Sequence, residues 1–174
     1  MIIKDGREIL IREAEITDAF KLSEYMMEIP KESDFLTFGE NEIKATPEIE
    51  EKIISSMQDK NNSIMLLALI DGKIAGNCTF RAGERIRIIH TGEFGITVRK
   101  EYWGLGIGTY LLETLIYWAK ETKIIRKINL RVRTDNYKAI KLYEKFGFEK
   151  EGIIRRDFLI EGKFYDSILM GLLL

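Results

Sequence analysis

The sequence predicts an α/β protein built on a mixed, largely antiparallel sheet with helices on its faces. Two observations carry that prediction. Strand patterns outnumber helix patterns, in the order β-α-α-β-β-β-α-β-α-β-β. Two acidic-glycine dipeptides, Asp71-Gly72 and Glu161-Gly162, each join two strand-like runs and so mark hairpins, whose strands must be antiparallel.

The elements follow in order. Glu8 to Arg12 alternates polar and apolar residues and reads as a first strand. Thr17-Asp18 offers an N-cap to a helix running to about Ile29, where Pro30 stops it. Lys31 to Ala45 is irregular, acidic and aromatic. Thr46-Pro47-Glu48 starts a second helix: threonine caps, proline fits the first helical position, and an acid sits near the positive end. That helix runs to about Asp59. Ile64–Ile70 and Lys73–Arg81 pair across Asp71-Gly72, a dipeptide suited to the positive φ angles of a type I′ turn. A strand from about Arg87 to Val98 comes next. An amphipathic helix spans about Gly106 to Lys120, with Ile107, Leu111, Leu115 and Trp118 on one face. Lys127–Arg133 alternates as a strand, Asn136–Phe146 reads as a helix ended by Gly147, and two strands close the chain.

Composition narrows the function classes. The chain has 174 residues, 45% hydrophobic and 32% charged, a globular balance that excludes disordered and collagen-like classes. The length suits one domain, residues 1–174, with a core that needs no staples. A single cysteine and a single histidine exclude an intramolecular disulfide and argue against a protein-built zinc site. No apolar run is long enough to span a bilayer and the N-terminus lacks a signal-peptide pattern, so a cytoplasmic setting is expected. A net charge of −1 points to neither nucleic acid nor membrane as a partner. The balance hides an asymmetry: the first 63 residues carry 8 basic and 15 acidic side chains, the rest 19 and 13. Two ligands of opposite charge meeting in one cleft would suit that division, as would two solvated faces.

The sharpest motif is Tyr102-Trp103-Gly104-Leu105-Gly106-Ile107-Gly108-Thr109, which follows a strand and opens a helix. Alternating glycines remove Cβ atoms and let successive backbone N–H groups point into one concavity at a positive helix end, a site suited to phosphates. A plain turn is the other reading. The cluster is not a P-loop, because Thr109-Tyr110 stands where Lys-Ser/Thr is needed. It is not a Rossmann fingerprint, because Thr109 stands where the third glycine belongs. Spacing alone leaves the phosphate ligand open.

These residues resemble the GNAT superfamily of acetyl-CoA-dependent N-acetyltransferases, over nearly the whole chain and most strongly from Glu93 to Phe148. The family's [Arg/Gln]-x-x-Gly-x-[Gly/Ala] loop is matched by Trp103 to Gly108, with Trp103 in place of the usual Arg or Gln. Asn136-Tyr137-Lys138-Ala139, followed by Tyr143 and Gly147-Phe148, resembles the family's N-x-x-A-x-x-x-Y-x-x-x-G-F segment. Helical geometry agrees: Asn136 and Tyr143 share a face about 10 Å apart along the axis, with small Ala139 between them. Without the resemblance, the same residues describe a core tyrosine and a capping asparagine.

The resemblance implies a sheet whose central strands splay, and a direct transfer of acetyl from acetyl-CoA to an amine without a metal. The main chain of Trp103, Gly104, Leu105, Gly106, Ile107, Gly108 and Thr109 is expected to hold the coenzyme A pyrophosphate. Asn136 and Ala139 flank the pantetheine arm. Backbone groups around Ile96 and Val98 bind that arm and polarise the thioester carbonyl. Tyr143 is the candidate acid for the leaving thiolate, and Glu93 the candidate base, directly or through water. Strand alternation places Glu93, Gly95 and Thr97 on one face and Phe94, Ile96 and Val98 on the other. His90 reads as a surface residue at a strand end, and Cys78 as packing, since no basic neighbour activates it.

The acceptor pocket is expected between the first two helices, their connection and the last hairpin, with Glu32 and Phe35 as contacts and Arg155 and Tyr165 nearby. Acids beside aromatics suit a cationic amine. The acceptor itself is left open between a small molecule and a protein N-terminus. A homodimer is compatible with the family. The competing expectations are a non-catalytic acyl-CoA-binding module with the same fold and a nucleotide-binding protein of another type.

Overall fold

A computed structural model describes all 174 residues. Its strands are β1 (Leu10–Glu13), β2 (Ser63–Ile70), β3 (Lys73–Ala82), β4 (Thr91–Val98), β5 (Lys127–Arg133), β6 (Glu149–Ile160) and β7 (Lys163–Leu173). Its α-helices are α1 (Ala19–Glu28), α2 (Pro47–Gln58), α3 (Ile107–Thr122) and α4 (Tyr137–Lys145). The strands form one sheet in the order β1-β2-β3-β4-β5-β7-β6. Every neighbouring pair is antiparallel except β4 and β5. No helix is long and apolar enough to cross a membrane.

The sheet is sandwiched at β2 and β3, which are buried on both faces along most of their length. All of β2, Ser-Ile-Met-Leu-Leu-Ala-Leu-Ile, is buried. Its period of two sends Ile64, Leu66, Ala68 and Ile70 into the core beneath α3 and α4, and Met65, Leu67 and Leu69 into the core beneath α1 and α2. α3 supplies Ile107, Leu111, Leu112, Leu115 and Ala119 to the first core. α1 and α2 supply Leu22, Tyr25, Ile54 and Met57 to the second. Apolar cores on both faces of this half of the sheet account for stability without cross-links.

Most boundaries follow the local chemistry expected of them. Thr46 caps α2, its hydroxyl accepting from Ile49 N at 3.4 Å. Asn136 caps α4, its side-chain oxygen accepting from Ala139 N at 3.3 Å. Asp71 and Gly72 both take positive φ, 49° and 72°, as a type I′ turn requires. Two expectations are corrected. Asp18 does stand at the N-cap position of α1, but its side chain makes no cap bond there; a 3-10 turn at Ile16–Asp18 precedes that helix, and the Asp18 carboxylate turns back to accept from Glu15 N at 2.8 Å and twice from Arg12. β4 begins at Thr91 rather than Arg87, because residues 85–91 are folded into turns through Ile88 N to Arg85 O and Thr91 N to Ile88 O.

The functional consequence lies between β4 and β5. These parallel strands pair only over Thr91–Glu93 with Lys127–Asn129. From Phe94 onward β4 stays bonded to β3 alone, through Val98 opposite Gly76. The sheet therefore opens like a V toward the carboxyl ends of β4 and β5, as splayed strands were expected to do. Where the pairing ends, Phe94 meets Tyr143 and Phe148 with ring centroids 5.7 and 5.8 Å away, an aromatic cluster that holds α4 at the split.

Candidate active site

The glycine loop links the carboxyl end of β4 to α3. Gly104 and Gly106 take φ values of 79° and 95°, a region where a Cβ costs about 1–2 kcal/mol. The first helical hydrogen bond of α3 is Tyr110 N to Gly106 O, 3.1 Å. The amides of Gly104, Gly106, Ile107, Gly108 and Thr109 consequently have no backbone acceptor, and all five residues, with Trp103, line one cavity. Free N–H groups at a helix start are an anion site. Leu105 differs from its neighbours: its amide bonds Tyr102 O at 3.5 Å, its side chain packs against the core, and it does not line the cavity.

Two features of this end were not legible in the motif. Trp103 makes a contact where a polar residue was expected: its indole Nε1 donates to Val98 O at 2.7 Å, tying the loop to the end of β4. Lys4 and Lys138 also line the cavity, adding two cationic side chains. Lys138 lies inside the recognised α4 segment. Lys4 is near the N-terminus, carries no motif, and reaches the loop because its amide bonds Leu105 O at 3.4 Å.

The cavity holds about 500 Å³ and runs from this loop into the split. That is ample for a ligand of drug size or an extended arm. Ile96, Thr97 and Val98 form one wall, and Asn136, Ala139, Leu142 and Tyr143 the facing one. Arg99 N bonds Ala75 O of β3 at 2.9 Å. Strand alternation then turns the main chain of Val98 and Ile96 away from β3 and into the split, where β5 no longer pairs with them. The Trp103 bond to Val98 O agrees with that orientation and leaves the Val98 and Ile96 N–H groups free.

Tyr143 is 7% exposed and borders the cavity. Its hydroxyl has no hydrogen-bond partner in the protein, and burial raises its pKa above the ordinary phenol value. Asn136 both caps α4 and lines the cavity.

The remaining expected residues fall in different places. Glu93 lies on the β4 face opposite Phe94, is exposed, and is not in the cavity wall. Phe35 lines the cavity together with Ile29, Ser33 and Leu36. Glu32 does not: its carboxylate pairs with Arg99 at 3.2 Å and accepts from Lys100 N at 2.6 Å. Its charge is therefore neutralised by the chain itself. Tyr165 borders a second, smaller cavity of about 280 Å³ with Asp34, Arg133 and Lys163. Arg155 is exposed in an irregular stretch of β6 between Ile154 and Phe158. His90 is exposed at the turn before β4, and Cys78 is buried with its thiol pKa pushed up by desolvation, the state of an unreactive thiol.

Comparison with known proteins agrees with this geometry. The acetyltransferase (GNAT) family profile matches residues 24–148. An L-amino acid N-acetyltransferase, AaaT, of Escherichia coli K12 is 32% identical over 115 residues, which is 66% of this chain and 71% of that protein. A spermidine N(1)-acetyltransferase of Vibrio cholerae is 34% identical over 89 residues, 51% of each chain. Among solved structures, a GNAT-family acetyltransferase from Streptococcus pneumoniae superposes with a TM-score of 0.94 at 41% identity, covering 96% of this chain and all of that one. The fold is also shared with yncA of Salmonella typhimurium, solved with its cofactor acetyl-CoA, at a TM-score of 0.83 and 19% identity over 95% of this chain and 93% of that one.

The donor set fits acetyl-CoA. Free amides and two lysines line a cavity that also takes in the unpaired strand N–H groups of the split and borders the Tyr143 phenol, whose burial favours the protonated form. With profile, relatives and site in accord, the chain belongs to the acetyltransferase (GNAT) family, whose members are acetyl-CoA-dependent acyltransferases.

Proposed function

We propose that this protein transfers the acetyl group of acetyl-CoA directly to a primary amine, of a small molecule or a protein N-terminus. The observation that carries the reading is the single cavity that joins the free amides of the glycine loop to the split beside Tyr143. Acetyl-CoA supplies the activated acetyl group. The N–H groups of Gly104, Gly106, Ile107, Gly108 and Thr109, with Lys4 and Lys138, hold the diphosphate. The N–H groups of Ile96 and Val98 bind the pantetheine arm as a further strand would and polarise the thioester carbonyl. Leu142, Ala139 and the capping Asn136 keep α4 close without filling the arm's path.

The attacking amine must be neutral and the departing thiolate must gain a proton. Tyr143 stays protonated because burial disfavours its phenolate, and so serves as the proton donor. Glu93 shares a strand face with Gly95 and Thr97, on the side away from Tyr143's aromatic cluster. It stands outside the cavity wall, so it takes the acceptor's proton through water rather than by contact. Phe35 closes the acyl end. Glu32, being ion-paired, shapes that end without binding the acceptor's charge.

The relatives named for L-amino acids and for spermidine define the panel for the test. Acetyl-CoA is offered with L-amino acids, spermidine and short peptides with a free alanine N-terminus, and release of the coenzyme A thiol is followed. Release with at least one amine supports the reading. Tight coenzyme A binding with no release on any amine would instead make the chain a non-catalytic acyl-CoA-binding module.

A further inference from the structure

The connection between α1 and α2 is held at both sides of the split sheet by two arginines. Arg99 follows the last residue of β4 and Arg133 is the last residue of β5, the two strands that part. Arg99 pairs with Glu32 at 3.2 Å and stacks over Tyr25 at 5.3 Å, and Tyr25 in turn shares a 2.8 Å hydrogen bond with Thr97. Arg133 donates to Asp34 O at 2.7 Å and lies over two rings, 4.8 Å from that of Phe35 and 3.9 Å from that of Tyr165. Two further bonds to Asp135, 3.0 and 2.6 Å, fix the guanidinium plane. Arg133 is 5% exposed, so a charge is kept out of water to make these contacts.

Four consecutive residues, Glu32 to Phe35, thus bridge the open end of the V. They also separate two cavities. Ser33, Phe35 and Leu36 face the larger one, while Asp34 faces the smaller one shared with Arg133 and Tyr165.

We propose that Arg133 is a positioning residue for the acceptor: by clamping Asp34 and Phe35 across the split, it sets the wall against which the incoming amine is seated. The proposal rests on the transferase reading for the amine, but the clamp itself does not. Bidentate pairing with Asp135 and packing on two rings need a planar guanidinium, so lysine replaces it only in part. Removing it frees the strap without touching the glycine loop, and loss of uniform acceptor binding raises KM rather than lowering kcat.

The test uses Arg133→Met, Arg133→Lys and, because Arg133 is buried and its loss leaves Asp135 unpaired, Phe35→Ala at a surface-accessible part of the same clamp. Four readouts are compared: KM and kcat with L-methionine and with spermidine as amines, coenzyme A affinity, and the rate of trypsin cleavage after exposed Lys44. The expected result is a roughly tenfold rise in amine KM for Arg133→Met and Phe35→Ala, less for Arg133→Lys, with kcat within about threefold and coenzyme A affinity within about twofold. Cleavage after Lys44 accelerates in the same order, since a released strap opens locally. Amine KM unchanged in both variants, or amine KM and coenzyme A affinity lost in parallel, would overturn the proposal. If neither amine is acetylated by the native protein, the transferase reading is what fails for them. The trypsin comparison then decides the clamp alone, and unaltered cleavage in both variants overturns it.

Discussion

The indole of Trp103 and the carbonyl of Val98 form a 2.7 Å hydrogen bond that fastens the glycine loop to the strand beside it. A residue type that departs from the family's usual arginine or glutamine is thus absorbed by the fold. The side chain works on the protein's own backbone and leaves the loop amides for the ligand.

Trp103→Phe keeps the ring but removes the donor. A hydrogen bond of this kind is worth about 0.5–1.5 kcal/mol. Coenzyme A affinity, measured by calorimetry, is expected to fall about 3- to 10-fold, with kcat at saturating acetyl-CoA nearly unchanged. An unchanged affinity would mean that the loop holds its shape without this tie.

Tyr143→Phe removes only the hydroxyl at the end of the cavity. The expected outcome is a fall in kcat of roughly 10²-fold, the ordinary worth of a general acid, with coenzyme A affinity within about twofold. The pH profile checks the same residue. Burial raises the phenol's pKa, so the donor form persists past the ordinary phenol value of about 10. A loss of kcat between pH 8 and 10 that disappears in Tyr143→Phe would contradict this assignment.

Gly106→Val places a branched side chain at φ 95°, where nothing in the protein except the edge of Tyr110, 3.9 Å away, opposes the new Cβ. The cost is therefore backbone strain and obstruction of the ligand's approach rather than a clash in the core. Thermal stabilisation by saturating coenzyme A, several degrees for the native chain, is expected to vanish while the unliganded melting temperature falls only modestly. Retained stabilisation would count against the amide cradle.

Asp18 and Arg12 supply a prediction about folding alone. Arg12 donates twice to the buried Asp18 carboxylate, at 2.6 and 2.8 Å, and these bonds hold its pKa below the ordinary aspartate value. A lowered folded-state pKa means stability that is complete above about pH 4–5, and lost as the pH falls through the folded value. Asp18→Asn should destabilise the protein by about 2 kcal/mol at pH 7. It should also flatten the acid side of the stability curve, as read by urea unfolding at pH 3 to 7. A difference from the native chain that stays constant down to pH 3 would refute the pairing.

Which parts of this could be read from the sequence follows from where the information lies. Local chemistry carried the elements: Thr46, Asn136, Asp71-Gly72 and the two-residue period of β2 each contain their own reason. It carried the glycine loop too, because free amides need only the glycines and a helix start. It failed where geometry is tertiary. Asp18 looks like a helix cap until Arg12 on β1 is known to claim it. Glu32 looks like a free acid until Arg99 and Lys100 are brought beside it by the end of β4. Glu93 alternates onto the expected strand face, yet alternation says nothing about the distance to the cavity. Leu105 sits inside the motif but turns inward, and Lys4, about a hundred residues earlier, reaches the loop through a backbone contact that no motif encodes.

The most direct test is a crystal structure of the protein with coenzyme A bound. The account predicts diphosphate oxygens within hydrogen-bond distance of the Gly106, Ile107, Gly108 and Thr109 nitrogens, the pantetheine arm bonded to Ile96 and Val98, and the sulfur beside the Tyr143 hydroxyl. Coenzyme A bound elsewhere, or a pantetheine arm leaving the split between β4 and β5 unvisited, would contradict it.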